Sequence, residues 1–322
     1  MLLGVPVWAT EQVIHTAILT IIAVVFAKGF DLVFGYSGQL SLAQGAFMGV
    51  GAYSSSLLTL KLGLPFSAAL LLSVVAAIAI SLVVGIPSIQ VTGHYLILVT
   101  LSFSVIFHQV LLNWVELTNG PMGLTNIPAP AVPASVFGTD DRRSFYWLAA
   151  STMIVVLLCS RRIETSTLGR SFIALRDDEI AAAAAGMNVR ALKLIALGLS
   201  AAFAGVSGVL FAHYMRVIEP SSFEVYVSIE AVLMVIIGGR GTFWGPVVGA
   251  LIVTALPEML RDFAIYRMPL YGALVVGIVI FCPAGIVGTL QQVGRRAARV
   301  APGRADAAAQ GAAARTPFTS ES

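Results

Sequence analysis

A glycine-rich stretch inside an apolar part of the chain limits most strongly how this sequence can fold. Residues Gly35 to Tyr53 read GYSGQLSLAQGAFMGVGAY, include five glycines and lie between apolar runs of membrane length. Because unpaired backbone groups are costly in a bilayer, such sequence is tolerated at membrane depth only where protein or a water-filled path surrounds it. The stretch is therefore a candidate transport pathway. The alternative is helix packing alone, since Gly45 and Gly49 have the GxxxG spacing that lets another helix approach closely.

A second glycine-rich break follows in the other half of the chain. Residues 238–246 read GGRGTFWGP, and Gly249 gives a further GxxxG spacing after Gly245. A pair of interrupted apolar segments, one in each half, is typical of transport sites built from broken helices. We therefore favour an internal pseudo-repeat, although two independent helix breaks would give the same pattern.

The composition places the chain in a membrane. It has 322 residues, of which 58% are hydrophobic and 11% charged, whereas charged residues make up about 25% of a typical soluble domain. The net charge of +3 and the pI of about 9.0 do not indicate nucleic-acid binding, because the basic residues are concentrated in particular loops. Cys159 and Cys282 lack the spacing of a metal site, so we interpret both as packing residues and expect no metal centre.

The apolar runs predict an all-α, polytopic integral membrane protein with about eight to ten transmembrane helices and glycine-rich helix breaks. With the first glycine-rich stretch counted as a span, we expect nine. The other predicted spans are residues 13–34, 65–87, 95–112, 145–159, 191–214, 226–237, 244–260 and 268–290. The transmembrane domain would cover residues 1–293, and the Ala/Gly-rich residues 294–322 would form a disordered tail.

Charged residues set the predicted orientation. Residues 161–193 carry six basic side chains and the tail carries five arginines, and loops rich in arginine and lysine face the cytoplasm. Four predicted spans separate these regions, so both lie on the same side. Five precede residue 161, which places the amino terminus outside and the carboxyl terminus in the cytoplasm. In the first span, Lys28 and Asp31 can neutralise each other or reach the interface, and a proton relay is the alternative.

Motifs for ATP hydrolysis and for intramembrane catalysis are missing from the sequence. No GxxxxGK[ST] loop is present, so a transporter driven by ATP would need separate ATPase subunits. The predicted spans hold few charges and no carboxylate pair, which suits a neutral, zwitterionic or aliphatic solute. The same shortage of membrane acids argues against a secondary transporter coupled to protons or sodium.

Two short motifs in the sequence match one class of enzyme. Ser37 and Ser207 both lie in GxSG sequences like those of rhomboid-like intramembrane serine proteases. A serine nucleophile needs a base within hydrogen-bond reach. His213 follows Ser207 by six residues, which is about 9 Å along a continuous helix and too far for such a bond. We therefore do not expect the chain to be an enzyme.

Five sequence blocks occur in an order that is specific for one transporter family. They are GQLSLAQGAF at 38–47, GHYLILVTL at 93–101, LTNGPMGLTNIP at 117–128, LRDDEIAAAAAG at 175–186 and IIGGRGTFWGPVVGA at 236–250. Together they resemble the M-type permeases of branched-chain amino-acid ABC importers. The resemblance covers about residues 35–283.

The resemblance implies a multi-pass permease subunit in the bacterial inner membrane that moves branched-chain or related hydrophobic amino acids. It implies a homologous second permease, two cytoplasmic ATPase subunits that use the ATP, and an extracytoplasmic solute-binding protein, with no cofactor held by the chain itself. Close cousins carry urea, short amides or small aromatic acids, and the sequence does not separate these substrates. The chain departs from the family at His94 and His108, which could contact a proton or substrate or simply be hydrogen-bonded between helices.

Two sets of residues follow as candidates. The pathway set takes the glycines and polar side chains of the two breaks and two residues of the 93–101 block: Gly38, Gln39, Ser41, Gln44, Gly45, Tyr95, Thr100, Gly238, Gly239 and Gly245. The coupling set lies in a cytoplasmic loop at about 160–193, where we predict one helix over 174–185 with early acids and a stop at Gly186 and Asn188. This block resembles the EAA-type loop that receives the ATPase stroke, and the alternative is a surface helix that merely obeys the positive-inside rule. The coupling set is Arg170, Arg176, Asp178, Glu179, Ala182 and Gly186.

Overall fold

The fold is a bundle of apolar helices. The computed structural model describes residues 11–88, 94–130, 141–259, 267–282 and 284–290. Within these ranges there is no β-strand, and a single isolated bridge pairs Leu124 with Ile218. The all-α prediction is confirmed. The predicted tail at 294–322 lies outside the described residues.

Nine apolar helices form the described bundle. They are α1 Glu11–Asp31, α2 Gln44–Leu62, α3 Phe66–Ser88, α4 His94–Asn113, α6 Asp141–Thr165, α9 Val189–Met215, α10 Val225–Gly238, α11 Gly245–Met259 and α12 Arg267–Phe281. Five of them (α1, α3, α4, α6 and α9) are long and apolar enough to cross a membrane, whereas α10 and α11 are shorter. The connections hold the short helices α5 Val115–Thr118, α7 Thr167–Asp177 and α8 Glu179–Ala184.

Contacts between helix ends define two faces of the bundle. At one end α1 and α6 begin together, where Arg142 donates to Glu11 at 2.7 Å. At the other end they finish together, where Lys28 Nζ lies 2.6 Å from Glu164 Oε1. We call these the Glu11 face and the Arg176 face, because Arg176 of α7 lies at the second end. Segment 166–188, which holds α7 and α8, belongs to the Arg176 face.

Helix α1 lies at the centre of the bundle. Its side chains are buried almost without exception from Ala17 to Asp31, against α6, α9, α10 and α11. A helix that is apolar on all sides is expected in such a position. By contrast, α3 and α4 leave apolar side chains exposed, among them Val75, Val83 and Ile106. These two helices therefore form part of the outer apolar surface.

Glycines allow α2 to pack closely on α9. A Cβ on Gly51 would overlap the backbone of Gly205, and a Cβ on Gly208 would overlap the carbonyl of Met48. Small residues let helix backbones approach in this way. The closest approach of α2 thus uses Gly51 rather than the predicted GxxxG pair, whose first member Gly45 faces α10 instead.

Two predicted span ends are wrong. The span predicted over 145–159 continues to Thr165, so Glu164 belongs to the last turn of α6 rather than to a loop. Its charge does not end the helix because Lys28 of α1 pairs with it inside the protein. The span predicted over 268–290 is interrupted, since α12 stops at Phe281, Gly285 has a φ of +72° and helical residues resume at 285–290.

The single helix predicted over 174–185 is wrong as well. It is broken at Asp178, whose backbone is extended and whose side chain accepts hydrogen bonds from two amides at the start of α8. An N-cap of this kind favours a new helix start over continuation of the old helix. The predicted stop at Gly186 is confirmed by its φ of +83°, whereas Asn188 caps the start of α9.

Candidate transport site

The first glycine-rich stretch contains a true helix break. Helix α1 runs on through a π-helical turn, Leu32–Tyr36, and the chain then leaves the helical conformation until α2 starts at Gln44. Within this gap Gly38 has φ +75°, a region that glycine adopts without strain. The predicted break is confirmed, and we call residues 37–43 break 1.

Side chains of α4 satisfy the backbone that break 1 leaves open. Leu42 donates its amide to Thr100 Oγ1 at 3.0 Å, and its carbonyl accepts from Ser104 Oγ at 2.6 Å. The amide of Ala43 donates to Ser41 Oγ at 3.3 Å. Thr100, Ser104 and Ser41 are all buried. Protein thus replaces the missing helical bonds, which is the condition under which irregular backbone persists at membrane depth.

Removing one of these partners should destabilise the protein. Thr100→Val keeps the side-chain shape but leaves the buried Leu42 amide without its acceptor, so we expect a loss of about 1–3 kcal/mol in stability. The matched control is Thr59→Val in α2, because the buried Thr59 hydroxyl bonds only carbonyls of its own helix in the described structure. Thermal unfolding in detergent measures the difference, and equal midpoints for the two variants would contradict the role of Thr100.

The start of α2 is held by three neighbouring helices. Ser200 of α9 donates to Gln44 Oε1 at 2.7 Å, and the amide of Gly45 donates to Ser228 Oγ of α10 at 2.8 Å. Gln44 also contacts the carbonyl of Phe26 in α1 at 3.4 Å. A side chain on Gly45 would meet the backbone at the start of α10. The first turns of α2 and α10 therefore lie side by side in the interior.

The second glycine-rich stretch is also a true break. Helix α10 ends at Gly238 and α11 begins at Gly245, and between them Gly239 and Gly241 have φ values of +117° and +67°. Thr242 Oγ1 donates to the carbonyl of Gly239 at 2.7 Å and accepts from the amide of Gly245 at 3.1 Å. The three pathway residues predicted here, Gly238, Gly239 and Gly245, thus lie in one tight turn. We call residues 239–244 break 2.

Residues at the end of α1, just before break 1, contact the backbone of break 2. A Cβ on Gly35 would lie 2.6 Å from the amide nitrogen of Gly241. Asp31 Oδ1 accepts a hydrogen bond from that same amide at 2.8 Å. Lys28 Nζ donates to the carbonyl of Phe243 at 3.1 Å. The two breaks, far apart in the sequence, are therefore neighbours.

A cleft of about 240 Å³ opens on the Arg176 face between break 1 and segment 166–188. Gly38 packs directly on Arg176, since a Cβ on Gly38 would lie 2.8 Å from Arg176 Cγ. Arg176 Nη1 donates to the carbonyl of Gly35 at 2.9 Å. The cleft brings together members of both predicted sets: Gly38, Gln39, Arg176, Asp178 and Glu179.

The remaining predicted residues lie outside this cleft. Tyr95 is 65% exposed at the start of α4, and Arg170 is exposed on α7. Ala182 is buried, whereas Gly186 is exposed and has open space around it. Glu179, by contrast, lines the cleft together with its ion-pair partner Lys193 of α9, at 2.6 Å. The cleft therefore contains only some residues of the two predicted sets.

A cluster of charges inside the bundle was not predicted from the sequence. We predicted no carboxylate pair in the spans, which is wrong, because Asp31 and Glu164 both face the buried Lys28 ammonium, at 3.8 Å and 2.6 Å. The error arose because Glu164 was assigned to a loop. Glu230, which lies partly buried in α10, was also overlooked although it falls inside a predicted span. The only sequence signal for the cluster was the Lys28 and Asp31 pair in an apolar helix.

The groups needed for a serine protease are engaged elsewhere. Ser207 Oγ donates to the carbonyl of Ala204 at 2.8 Å, and His213 Nδ1 hydrogen-bonds the carbonyl of Pro128 at 2.8 Å. Ser37 Oγ donates to the carbonyl of Val33 at 2.7 Å. Neither GxSG serine is therefore activated by a histidine in the described structure.

His108 fits the hydrogen-bonded interpretation. Its Nδ1 lies 3.3 Å from the carbonyl of Pro220, and its Nε2 lies 3.6 Å from Glu224 Oε1. These contacts join α4 to the segment before α10. The side chain of His94 lies outside the described residues.

The sequence places the chain in a known transporter family. Residues 12–283 match the family described as the permease component of the branched-chain amino acid transport system. The chain belongs to this family. This match and the LivM relatives described next confirm the resemblance to the M-type permeases stated from five motifs.

Two kinds of permease are among the relatives of this family member. The chain is 34% identical over 303 residues, 88% of its length and 71% of the relative, to the high-affinity branched-chain amino acid transport system permease protein LivM of Escherichia coli (strain K12). It is 33% identical, with the same coverage, to LivM of Salmonella typhimurium (strain LT2). It is 24% identical over 281 residues, 81% of its length and 90% of the relative, to LivH of the same Salmonella strain. No solved structure matches the chain.

Proposed function

We propose that the chain is the permease subunit of an ABC importer that carries branched-chain or related hydrophobic amino acids across the bacterial inner membrane. The observation that carries this proposal is the contact between break 1 and segment 166–188, where Arg176 packs on Gly38 and donates to Gly35. An ATPase that displaces this segment from the cytoplasm would move break 1 directly. Segment 166–188 is thus the coupling element, and the two breaks form the transport site.

The interior polar groups support a zwitterionic, largely apolar substrate. Gln44, Ser200 and Ser228 are neutral, and they surround the point at which α2 and α10 begin. Helix N-termini stabilise carboxylates, as in transporters whose broken helices point at an anionic group of the substrate. The names of the relatives LivM and LivH, both branched-chain amino acid permeases, support an aliphatic side chain on that substrate.

The proposed assembly contains a second, homologous permease. Similarity to both LivM and LivH supports this pairing, since one chain is related to two differently named permeases. Two ATPase subunits would bind the coupling element and use the ATP, and a solute-binding protein would dock on the opposite face. On the coupling element, Arg170, Asp178 and Gly186 are exposed and available to an ATPase, whereas Arg176 and Ala182 face inward.

The proposed orientation predicts the outcome of cysteine labelling. Thirteen of the 19 basic residues lie on the side proposed to be cytoplasmic. After the native cysteines 159 and 282 are replaced by alanine, single cysteines at Ser135 and Ala308 should react with an impermeant maleimide from opposite sides of the membrane. Labelling of both from outside in intact cells would contradict the orientation.

The substrate class is tested on the solute-binding protein that delivers substrate to this permease, which is identified first by co-purification with the permease. Calorimetric titration with leucine, isoleucine and valine should show tight binding, whereas urea, short amides and small aromatic acids should not bind. Tight binding of one of the latter compounds, without binding of the aliphatic amino acids, would overturn the proposed substrate and leave the permease family unaffected.

A further inference from the structure

Three charged side chains meet inside the protein near the Arg176 face. Lys28 Nζ lies 2.6 Å from Glu164 Oε1 and 3.8 Å from Asp31 Oδ2. The side chains of Lys28 and Asp31 are fully buried, and that of Glu164 is 7% exposed. Buried ion pairs are weak contributors to stability, because desolvation offsets most of their attraction. Hydrophobic packing would hold these helices together equally well, so the cluster calls for another explanation.

The cluster holds break 2 in position. Lys28 binds the carbonyl of Phe243, and its ammonium lies 4.6 Å from the centre of the Phe243 ring. Asp31 binds the amide of Gly241. Arg161 of α6 stacks over the same Phe243 ring at 5.0 Å. The conformation of break 2 therefore depends on where Lys28 and Asp31 lie.

One member of the cluster, Glu164, also contacts the coupling element. Glu164 lies two residues before Ser166, which caps α7. The first turn of α7 is pressed on the end of α6, because a Cβ on Gly169 would overlap the carbonyl of Glu164. The start of α7 is therefore in direct contact with Glu164, so a displacement of α7 acts first on this residue. Ser160 donates to Glu164 Oε1 at 2.7 Å and orients it toward Lys28 in the present state.

The cluster contains more acceptors than Lys28 uses. Two carboxylates face one ammonium, and Asp31 Oδ2 is buried without a hydrogen-bond partner in the described structure. Lys28 donates to Glu164 and is 3.8 Å from that free oxygen. A small rotation of the lysine would bring it to Asp31. The geometry thus provides two alternative pairings of one cation, which is the kind of bistable element that amplifies small displacements.

We propose that Lys28, Asp31 and Glu164 form a charge switch that transmits movement of the coupling element to break 2. In the present state Lys28 is bound to Glu164 and to the carbonyl of Phe243. When α7 draws Glu164 away, Lys28 transfers to Asp31 and releases the Phe243 carbonyl, so that break 2 can rearrange. This switch rests on the proposed function, because the ATPases supply the displacement.

The switch is tested by neutral, nearly isosteric substitutions. Glu164→Gln and Asp31→Asn are reconstituted with the second permease, the ATPases and the binding protein, and leucine uptake and ATP hydrolysis are measured together. Both variants should hydrolyse ATP close to the wild-type rate, with uptake per ATP lowered by about tenfold or more. The matched control is Glu11→Gln, which removes an exposed ion pair with Arg142 on the opposite face and should keep the wild-type ratio. A parallel fall of uptake and hydrolysis, or no change in either, would overturn the switch.

A distance measurement separates the switch from the proposed function. Spin labels at Arg162 and Arg240, both exposed, report the separation between the end of α6 and break 2. In the wild-type complex this distance should change when ATP is trapped by vanadate, and in Asp31→Asn it should stay at its resting value. An equal change in the variant would overturn the switch while leaving the proposed function intact. Failure of the wild-type complex to couple ATP to uptake would instead overturn the proposed function.

Discussion

Replacing Gly245 with leucine is expected to reduce uptake to background while much of the protein remains in the membrane. A Cβ at this position would overlap the carbonyl of Gly239 and the hydroxyl of Thr242. A leucine side chain can therefore be accommodated only if the backbone of break 2 moves apart. Gly45→Leu should have the same effect in the first turn of α2, because a Cβ there would lie 3.0 Å from the carbonyl of Glu224 and leucine extends further toward α10. Uptake of labelled leucine, normalised to permease in the membrane fraction, measures both variants.

Gly272→Leu in α12 is the matched control for these substitutions. Gly272 is exposed and helical, and no atom lies within 4 Å of the position its Cβ would take. Leucine is a better helix former than glycine, so this variant should keep normal uptake. Normal uptake by both Gly45→Leu and Gly245→Leu would show that the glycine breaks are not required for transport.

Charge reversal in the coupling element should uncouple ATP hydrolysis from uptake. The double variant Asp178→Lys, Glu179→Lys removes the cap of α8, which costs about 1 kcal/mol. It also places a second ammonium against Lys193, which now binds Glu179 at 2.6 Å. We expect the ATPases either to dissociate from the membrane or to hydrolyse ATP without uptake, while the solute-binding protein still docks on the other face. Co-purification of the ATPases and the uptake-to-hydrolysis ratio measure this effect.

The control for charge reversal is Glu11→Lys, which reverses a paired acid on the Glu11 face. It should leave both measurements near wild type. A bulky residue at Gly186 should resemble the double variant, because the φ of +83° strains any residue with a side chain even though space is free. Normal transport with bound ATPases in all coupling variants would place the coupling contact elsewhere, most simply at residues 88–92.

The sequence predicted the features that depend on local composition. Apolar run lengths identified the helices, and the glycines at Gly38 and Gly239 marked breaks where φ is positive. The hydrogen-bond partners of the backbone in break 1 could not be predicted from the sequence. The acceptor for the Leu42 amide, for example, is Thr100 on a helix distant in the sequence. Periodicity and glycine content report on a helix and its ends, but they do not say which helices become neighbours.

The charge cluster shows the same limit more clearly. Lys28 and Asp31 looked like a local pair, yet the principal partner of Lys28 is Glu164 on another helix. Arginines flanking Glu164 suggested a solvated loop, because positive charges usually mark the membrane boundary. Pairing through the fold cancelled the cost of burying that acid and let α6 continue. Only the tertiary contact reveals that break 2 and the coupling element share one set of charges.

Reconstitution distinguishes an ATP-driven importer subunit from a stand-alone transporter most directly. Proteoliposomes are prepared with this chain alone and with the chain, the second permease, the two ATPases and the binding protein, and leucine uptake is followed with and without ATP. Uptake is expected only from the full assembly with ATP on the coupling-element side. Leucine uptake by the chain alone, driven by a proton or sodium gradient and indifferent to ATP, would contradict the proposed function.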